Sequence, residues 1–332
     1  MDKVSISDVA KKANVSVTTV SRVLNDSNLV KDLTKEKVLQ VISDLNYRPN
    51  ELARGLRSNE TRTIGVIVGD ILNPFYTAIA RGIEDVSNKF CYNIILCNTD
   101  GNPDKEKQYI QALIDKRVDG LIVVSSGTDV DYKSLVQDKH IVFVDGKPQG
   151  FSYESFDAVL CKNEEGSRRA VEHLIKSGFR RVAIITYRTP DTGYERLIGY
   201  KHALEANGLK IDDSIIKIVA SFGHNAFDDA KDIMTKTDCD AVFTANFSIL
   251  TGVLRAASEL GIDFSSDMGL ASFDDVEWMQ YYKPKITAVR QPTYSMGATA
   301  MEMLLKRITG DNSRPVEIRL DSELIIRESS IK

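Results

Sequence analysis

The spacing of hydrophobic positions changes at about residue 63. Before it, hydrophobic residues recur three and four positions apart, which predicts short amphipathic helices. After it, apolar runs such as "TIGVIVGDI" (63–71) alternate with longer segments of helical periodicity. Apolar runs that alternate with helices are typical of parallel sheets covered by helices. The pattern therefore predicts a small all-α region followed by a larger α/β region.

Three short helices are predicted in the first region. Ser5 and Asp8 form a variant of the capping box, which opens a first helix that ends near Ala13. The turn "NVS" leads into a second helix at 16–24, and a third helix covers about 34–45. A helix, a short turn and a second helix with a polar face form the unit that enters the major groove of DNA.

The second of these helices has two different faces. Val20, Val23 and Leu24 form an apolar stripe, and the opposite face is polar. Arg22 on the polar face could bond guanine edges, while hydroxyl and amide groups suit backbone phosphates. The DNA-binding candidates are Ser5, Ser7, Ser16, Val17, Thr18, Thr19, Ser21, Arg22 and Asn25. The alternative is a helical packing module with a solvated charged face.

A second DNA-binding element is predicted in "YRPNELARGLRSNETRT" (47–63). Pro49 stops a helix, and "ELARGLRS" would form about two turns, too short to be stable alone in water. A helix that forms on DNA and wedges Leu56 into the minor groove would explain an exposed leucine beside arginines. The candidates here are Asn50, Ala53, Leu56 and Arg57. The alternative is a plain interdomain linker.

The charge distribution supports a nucleic-acid partner at one end. The formal charge of the chain is −4, which alone argues against DNA binding. Residues 1–62, however, contain 11 basic and 8 acidic residues, whereas the remainder contains 32 and 39. A basic head on an acidic body is expected when only one end faces phosphate.

Composition and motifs also exclude several classes of protein. The four cysteines form no CxxC pair and the histidines are far apart, so we expect no metal site and no cofactor. The start lacks a signal peptide and no segment is long enough to span a membrane, so we expect a cytoplasmic protein. No phosphate-binding loop or catalytic set is present, and we predict that the chain is not an enzyme.

Three motifs resemble the lactose-repressor (LacI/GalR) family of bacterial transcription regulators. They are "ISDVAKKANVSVTTVSRVLN", "LNYRPNELARGLRS" and "TIGVIVGDILNPFYTAIARGIEDV", in family order. The resemblance implies that Val17, Thr18 and Arg22 read bases and that Leu56 is the minor-groove wedge. It also implies a homodimer on a near-palindromic operator.

The fold expected is a helix-turn-helix head and an α/β core of two doubly wound parallel-sheet lobes, similar to periplasmic sugar-binding proteins. The segments are 1–46 for the DNA-binding domain, 47–62 for the hinge and 63–332 for the core. Lobe one covers about 63–161 and 292–321, and lobe two about 162–290 and 323–332. Ligands bind such sheets at the carboxyl ends of the strands, so we expect an effector in the cleft between the lobes.

The effector-binding candidates follow predicted strands or match family positions. They are Phe75, Tyr76, Ser125, Ser126, Lys162, Thr192, Arg196, Phe222, Asn246 and Asp274. The resemblance assigns Arg196, Phe222, Asn246 and Asp274. The alternatives are core packing for Phe75 and Tyr76, simple solvation for the two serines, and a surface ion pair for Arg196.

Two departures from the family pattern bear on the ligand. Lys162 stands where the family often has aspartate, and a cation beside Arg196 indicates an anionic effector such as a sugar acid or sugar phosphate. An outward-pointing lysine is the alternative. Phe247 stands where the family often has a second aspartate, which removes a polar contact.

These observations predict a transcriptional repressor whose operator affinity is controlled by a small carbohydrate-type effector. Two alternatives stay open. One is a regulator controlled by a phosphorylated carrier protein, because "ARGIEDVSNKFCYNIILCNTD" also resembles the catabolite control regulators. The other is a sugar-binding receptor without DNA activity, which should carry an export signal and lack the basic head.

Overall fold

The computed structural model describes residues 4–24, 29–47, 60–126, 130–136, 138–148, 155–188, 191–219, 226–264 and 266–332. The chain divides into two compact units, Met1–Thr61 and Arg62–Lys332, which we call the head and the core. Within the described residues, the head has one hydrophobic cluster of its own and the core has four.

The described part of the head contains three helices. They are α1 (Ile6–Ala13), α2 (Val17–Leu24) and α3 (Asp32–Asp44). The predicted capping box is confirmed, because Asp8 N donates to Ser5 Oγ at 3.3 Å and Ser5 N donates to Asp8 Oδ2 at 2.9 Å. Val9, Val20 and Val38 are each 0% exposed and bring the three helices together. The third helix begins at Asp32, two residues earlier than predicted.

The described part of the core alternates strands and helices. Its strands are β1 (Thr63–Val68), β2 (Asn93–Asn98), β3 (Gly120–Val123), β4 (His140–Val144), β5 (Asp157–Cys161), β6 (Val182–Tyr187), β7 (Ile216–Val219), β8 (Ala241–Thr244), β9 (Gly269–Phe273), β10 (Thr287–Arg290), β11 (Glu317–Leu320) and β12 (Glu323–Ile325). Its α-helices are α4 (Pro74–Lys89), α5 (Pro103–Asp115), α6 (Tyr132–Val136), α7 (Asn163–Lys176), α8 (Thr192–Ala206), α9 (Phe227–Lys236), α10 (Phe247–Leu260) and α11 (Thr293–Ile308).

The strands form two six-stranded sheets of matching order. Lobe one has the order β11-β5-β4-β3-β1-β2, and lobe two has the order β12-β10-β9-β8-β6-β7. All pairs are parallel except β10 with β12. The chain therefore crosses between the sheets after β5, after β10 and between β11 and β12. The predicted fold class is confirmed.

Local sequence explains where the first strand and helix of the core lie. Ile64, Val66, Ile67 and Val68 are at most 1% exposed, as expected for a central strand with both faces covered. The strand ends at Val68 rather than at the predicted residue 71. Asn73 then caps α4 by accepting from Phe75 N at 3.0 Å, and Pro74 occupies the first helical position.

Glycines allow two helix pairs to cross at close range. A Cβ on Gly82 in α4 would lie 2.1 Å from the carbonyl oxygen of Tyr294 in α11. In lobe two, a Cβ on Gly199 in α8 would lie 2.1 Å from the carbonyl oxygen of Glu164 in α7. No side chain fits at such distances, so glycine sets the spacing of both helix pairs.

Candidate functional site

The exposed face of α2 carries the side chains that were predicted to contact DNA bases. Thr18 and Arg22 are exposed and Val17 is 36% exposed, whereas Val20 and Val23 on the opposite face are buried. Among the described residues Arg22 has no ion-pair partner. An exposed guanidinium on this face is what base readout requires.

Some of the hydroxyl groups at the starts of the head helices form hydrogen bonds within the chain. Ser5 Oγ donates to Asp8 Oδ2 at 2.6 Å. Ser16 Oγ accepts from Thr19 N at 3.1 Å and lies 2.8 Å from Thr19 Oγ1, so Ser16 caps α2 as predicted. Ser7 is exposed and Ser21 is half-buried. The remaining DNA-binding candidates, Asn25, Asn50, Ala53, Leu56 and Arg57, lie outside the described residues.

In the core, polar side chains converge where strands of both lobes end. Asp145 follows β4 in lobe one, and Asn163 follows β5 at the start of α7. In lobe two, Asp274 follows β9 and Gln291 follows β10, while Arg196 enters from the first half of α8. All five are at most 7% exposed. The carboxyl ends of parallel strands thus place a buried polar cluster at the predicted cleft.

Arg196 lies at the centre of this cluster and is 2% exposed. Its Nε donates to Asn163 Oδ1 at 2.9 Å, and its Nη1 donates to the carbonyl oxygen of Ala245 at 2.6 Å. Its guanidinium carbon lies 3.8 Å from the ring centroid of Phe273, a cation–π distance. Its Nη2 lies 4.0 Å from Asp145 Oδ1. The alternative of a surface ion pair for Arg196 is therefore wrong.

Asp274 is held firmly within lobe two. Its Oδ1 accepts from Gln291 Nε2 at 2.7 Å, and its Oδ2 accepts from the backbone nitrogen of Phe247 at 3.2 Å. Phe247, the departure from the family pattern, thus contributes its backbone here rather than a polar side chain. Sequence reasoning predicted Asp274 but missed Gln291.

Asp145 is a second residue that sequence reasoning missed. Among the described residues its Oδ1 has no hydrogen-bond partner, although the side chain is buried. Burial raises the pKa of Asp145 to about 7, with Arg196 opposing the rise and Asp274 adding to it. The signal was present, because "IVFVD" ends in an aspartate after an apolar run, as "LASFD" does.

Aromatic side chains border the cluster. The Tyr187 ring centroid lies 6.0 Å from the Arg196 guanidinium, and Tyr187 Oη lies 2.9 Å from Thr192 Oγ1. Tyr76 is 2% exposed, and burial, followed by the charge of Asp145, raises its pKa well above the ordinary value. Phe75 packs with Tyr76 in the core of lobe one, ring centroids 5.1 Å apart. Phe75 thus matches the core-packing alternative, whereas the pKa of Tyr76 also responds to the charges of the cluster.

Asn246 and the predicted serines have structural partners. Asn246 Oδ1 caps α10 by accepting from Ile249 N at 2.8 Å. Ser125 Oγ lies 2.9 Å from Tyr132 Oη, and Ser126 N donates to Glu106 Oε2 at 2.8 Å. Tyr132 also donates to Glu106, which is 0% exposed. These contacts fix the loop after β3, so the serines are positioned rather than simply solvated.

Lys162 does not join Arg196, and its prediction needs correction. Its Nζ lies 2.8 Å from Asp321 Oδ1, in a pair whose side chains are 46% and 73% exposed. The backbone of Lys162 lies at the strand end as expected, but its side chain points toward the surface of the lobe. The outward-pointing alternative is correct, and the anionic effector loses its support. Phe222 lies outside the described residues.

An ion pair and a hydrogen bond join the two lobes beside the cluster. Arg319 Nη1 of β11 donates to Glu195 Oε1 of α8 at 2.8 Å. The backbone nitrogen of Lys147, after β4, donates to Asp191 Oδ2 at 2.8 Å. The lobes therefore lie close enough for one ligand to contact both.

No helix among the described residues is long and apolar enough to cross a membrane. No group of three or more His, Cys, Asp or Glu side chains among them is arranged to hold a metal ion.

Residues 5–50 match the family described as bacterial regulatory proteins, lacI family, and residues 171–330 match a periplasmic binding protein-like domain. The chain is 38% identical over 330 residues to the HTH-type transcriptional regulator RegA of Clostridium acetobutylicum, covering 98% of both chains. The chain belongs to the lacI family. As lacI-family chains are transcriptional regulators, this one is a DNA-binding regulator and not an enzyme, as predicted.

Solved structures agree with this assignment. The Lac repressor dimer bound to operator and the anti-inducer ONPF superimposes with a TM-score of 0.85 at 24% identity, covering 100% of both chains. This similarity shows the lacI-family fold. The complex of the transcriptional regulator CelR with cellobiose has a TM-score of 0.72 at 28% identity, covering 98% of this chain and 100% of that one.

Proposed function

We propose that the protein is a cytoplasmic repressor whose operator affinity is set by a neutral carbohydrate-type effector bound around Arg196. The observation that carries the proposal is a buried cluster at the meeting strand ends of both lobes. Arg196 and Asp145 come from different lobes and approach to 4.0 Å. A ligand that contacts both would favour one relative position of the lobes, which is the requirement for control by a ligand.

The chemistry of the cluster suits hydroxyl groups. Carboxylate and amide groups fix hydroxyls directionally, and aromatic rings such as Tyr187 and Phe273 offer apolar faces. Asp145 and Asp274 both lie near Arg196, and two carboxyl groups beside one buried arginine disfavour an anionic ligand. The cellobiose that CelR binds is a neutral sugar of the class we propose.

A homodimer on a near-palindromic operator completes the proposal. The edge strands β2 and β7 carry Leu96 at 43% and Ile218 at 49% exposure, and Leu72 at 86% exposure lies in the loop after β1. Exposed apolar side chains along one edge of each lobe suit association with a second copy. A two-fold dimer would present two copies of α2 to the paired half-sites of the operator.

The proposal is tested with a panel of neutral sugars, sugar acids and sugar phosphates that includes cellobiose and ribose. Melting temperature is measured first, because a ligand specific for the folded state raises it by mass action. We expect a neutral sugar to give the largest rise. Operator binding is then measured in a gel shift with and without that sugar, and we expect the apparent affinity to change.

Matched variants separate the effector site from the surface. Arg196→Gln should abolish both the melting shift and the operator response, while Lys162→Gln should retain both. A sugar acid or sugar phosphate that is the best ligand, and whose melting shift is lost in Arg196→Gln, would contradict the neutral-effector proposal. A full response in Arg196→Gln would place the effector elsewhere.

A further inference from the structure

A cavity of about 440 Å³ opens at the amino ends of β4 and β5 in lobe one. The cavity and the effector cluster lie at opposite ends of the strands, because β4 begins at His140 in the cavity and leads to Asp145 in the cluster. Its volume falls in the range of small-molecule sites. Its charged or titratable lining residues are Lys133, Lys139, His140, Asp157, Arg307 and Asp311.

The acidic groups of this cavity are already bonded within the protein. Asp157 accepts from Arg307 Nε at 2.8 Å and Arg307 Nη2 at 2.9 Å, and their side chains are 5% and 11% exposed. Asp157 Oδ1 also accepts from Val316 N at 2.8 Å. Asp311 Oδ1 accepts from Ser313 N at 2.9 Å and lies 3.7 Å from Arg307 Nη1. This paired network forms a fixed wall.

The basic groups on the other side of the cavity have no acidic partner among the described residues. Lys133 and Lys139 form no ion pair with any described residue, and the half-buried His140 ring has no hydrogen-bond partner among them. Lys133, Lys139 and Arg307 outnumber Asp157 and Asp311 by one, so the described lining of the cavity has a net charge of +1. Two lysine ammonium groups around one volume attract a compact anion, while burial and the charge of Arg307 lower the pKa of His140, which leaves a neutral imidazole as a hydrogen-bonding group.

We propose that this cavity binds a small phosphomonoester, at a second ligand site separate from the effector cluster. A phosphate monoester carries a charge of about −1.5 to −2 at neutral pH, and the ammonium groups of the two lysines attract it. Lysine binds phosphate as a point charge without needing a fixed fork geometry. Ser155 and Asn312 also line the cavity and offer polar groups to the rest of the ester.

The test is isothermal titration of the full chain with glucose 6-phosphate, inorganic phosphate and glucose. We expect the two phosphates to bind and glucose not to bind at this site. Lys133→Gln/Lys139→Gln should weaken phosphate-dependent binding by about tenfold or more, which corresponds to about 1.4 kcal/mol. Lys107→Gln/Lys116→Gln removes the same charge from exposed positions in lobe one and should leave binding unchanged.

Asp145→Asn separates this site from the effector site, because it alters the cluster and leaves the cavity intact. Binding of glucose 6-phosphate should survive in Asp145→Asn. Equal binding by the Lys133/Lys139 variant and the wild type would overturn the proposal, as would no binding of either phosphate at millimolar concentration. Loss of binding in Asp145→Asn would assign the phosphate to the effector cluster instead.

Discussion

The two lobes place an aspartate at equivalent positions. Asp145 follows β4 and Asp274 follows β9, and these strands occupy the same place in the two sheet orders. Both residues have a positive φ, 67° and 72°. Each donates its backbone N–H to the neighbouring strand, Asp145 to Val159 O and Asp274 to Val289 O. The same backbone geometry thus presents a carboxylate from each lobe.

The surroundings of the two carboxylates differ. Asp274 is bonded by Gln291 and by the backbone of Phe247 within its own lobe. Asp145 Oδ1 has no hydrogen-bond partner among the described residues and meets Arg196 of the other lobe at 4.0 Å. Lobe two therefore preforms its half of the site, whereas lobe one contributes a carboxylate that a ligand must satisfy. A ligand hydroxyl that bonds Asp145 while the ligand also contacts lobe two would stabilise the arrangement in which the lobes lie close together over one in which they lie apart.

Among the variants that test this difference, Arg196→Gln should have the largest effect on the free energy of unfolding. It removes the cation that faces Asp145 and the donor to the carbonyl oxygen of Ala245, so buried groups lose their partners. We expect unfolding free energy to fall by about 3–5 kcal/mol, measured by urea denaturation. Arg290→Gln is the control, because that arginine is about half exposed. A loss below about 1 kcal/mol in Arg196→Gln would mean that the cluster is not held by Arg196.

The pH dependence of stability should separate Asp145 from the other acids. Since burial raises its folded pKa to about 7 from 3.8, the folded protein retains a proton that the unfolded chain loses. The stabilisation is full below about pH 4 and is lost as pH rises through about 7, by at most about 4 kcal/mol. Unfolding of the ligand-free protein at pH 5 and pH 8 measures it. Asp145→Asn should flatten this part of the profile, and an unchanged slope in that variant would contradict the assignment.

Gln291→Ala tests whether lobe two is preformed. It removes the donor to Asp274 Oδ1, a hydrogen bond to a carboxylate, and we expect a loss of about 1–2 kcal/mol in chemical denaturation. Effector affinity should fall as well, because Asp274 is no longer fixed. Unchanged stability and affinity would show that Asp274 does not depend on its lobe for orientation.

Lys162→Gln should have the smallest effect, below about 0.5 kcal/mol on stability, since exposed ion pairs contribute little. Effector affinity measured by titration should remain within about twofold of the wild type. A large loss of affinity would return Lys162 to the effector site.

The sequence predicted most of the fold because hydrophobic periodicity and helix caps are local signals. Ser5, Asp8 and Asn73 act as caps where the pattern indicated. Arg196 and Asp274 were found through the family resemblance, which carries long-range information. Lys162 was misplaced because a strand end fixes the backbone but not the direction of the side chain. Asp321, its partner, is distant in sequence and gave no signal.

The residues that were missed share one cause. Asp145 and Gln291 follow strands whose neighbours come from other parts of the chain, and only the sheet order brings them to the cluster. Alternation of strands and helices predicts that sheets exist, but it does not specify which strand ends become adjacent. A rule that examined the polar residue after every buried strand would have found both.

Proton release on effector binding tests the central claim most directly. Isothermal titration at pH 7 in buffers of different ionisation enthalpy gives the number of protons exchanged. If a ligand hydroxyl donates a hydrogen bond to the Asp145 carboxylate, the pKa of Asp145 falls on binding. The wild type should then release a fraction of a proton, and Asp145→Asn should release none. Equal proton release by the two proteins, or none by the wild type, would contradict a ligand that bridges the lobes through Asp145.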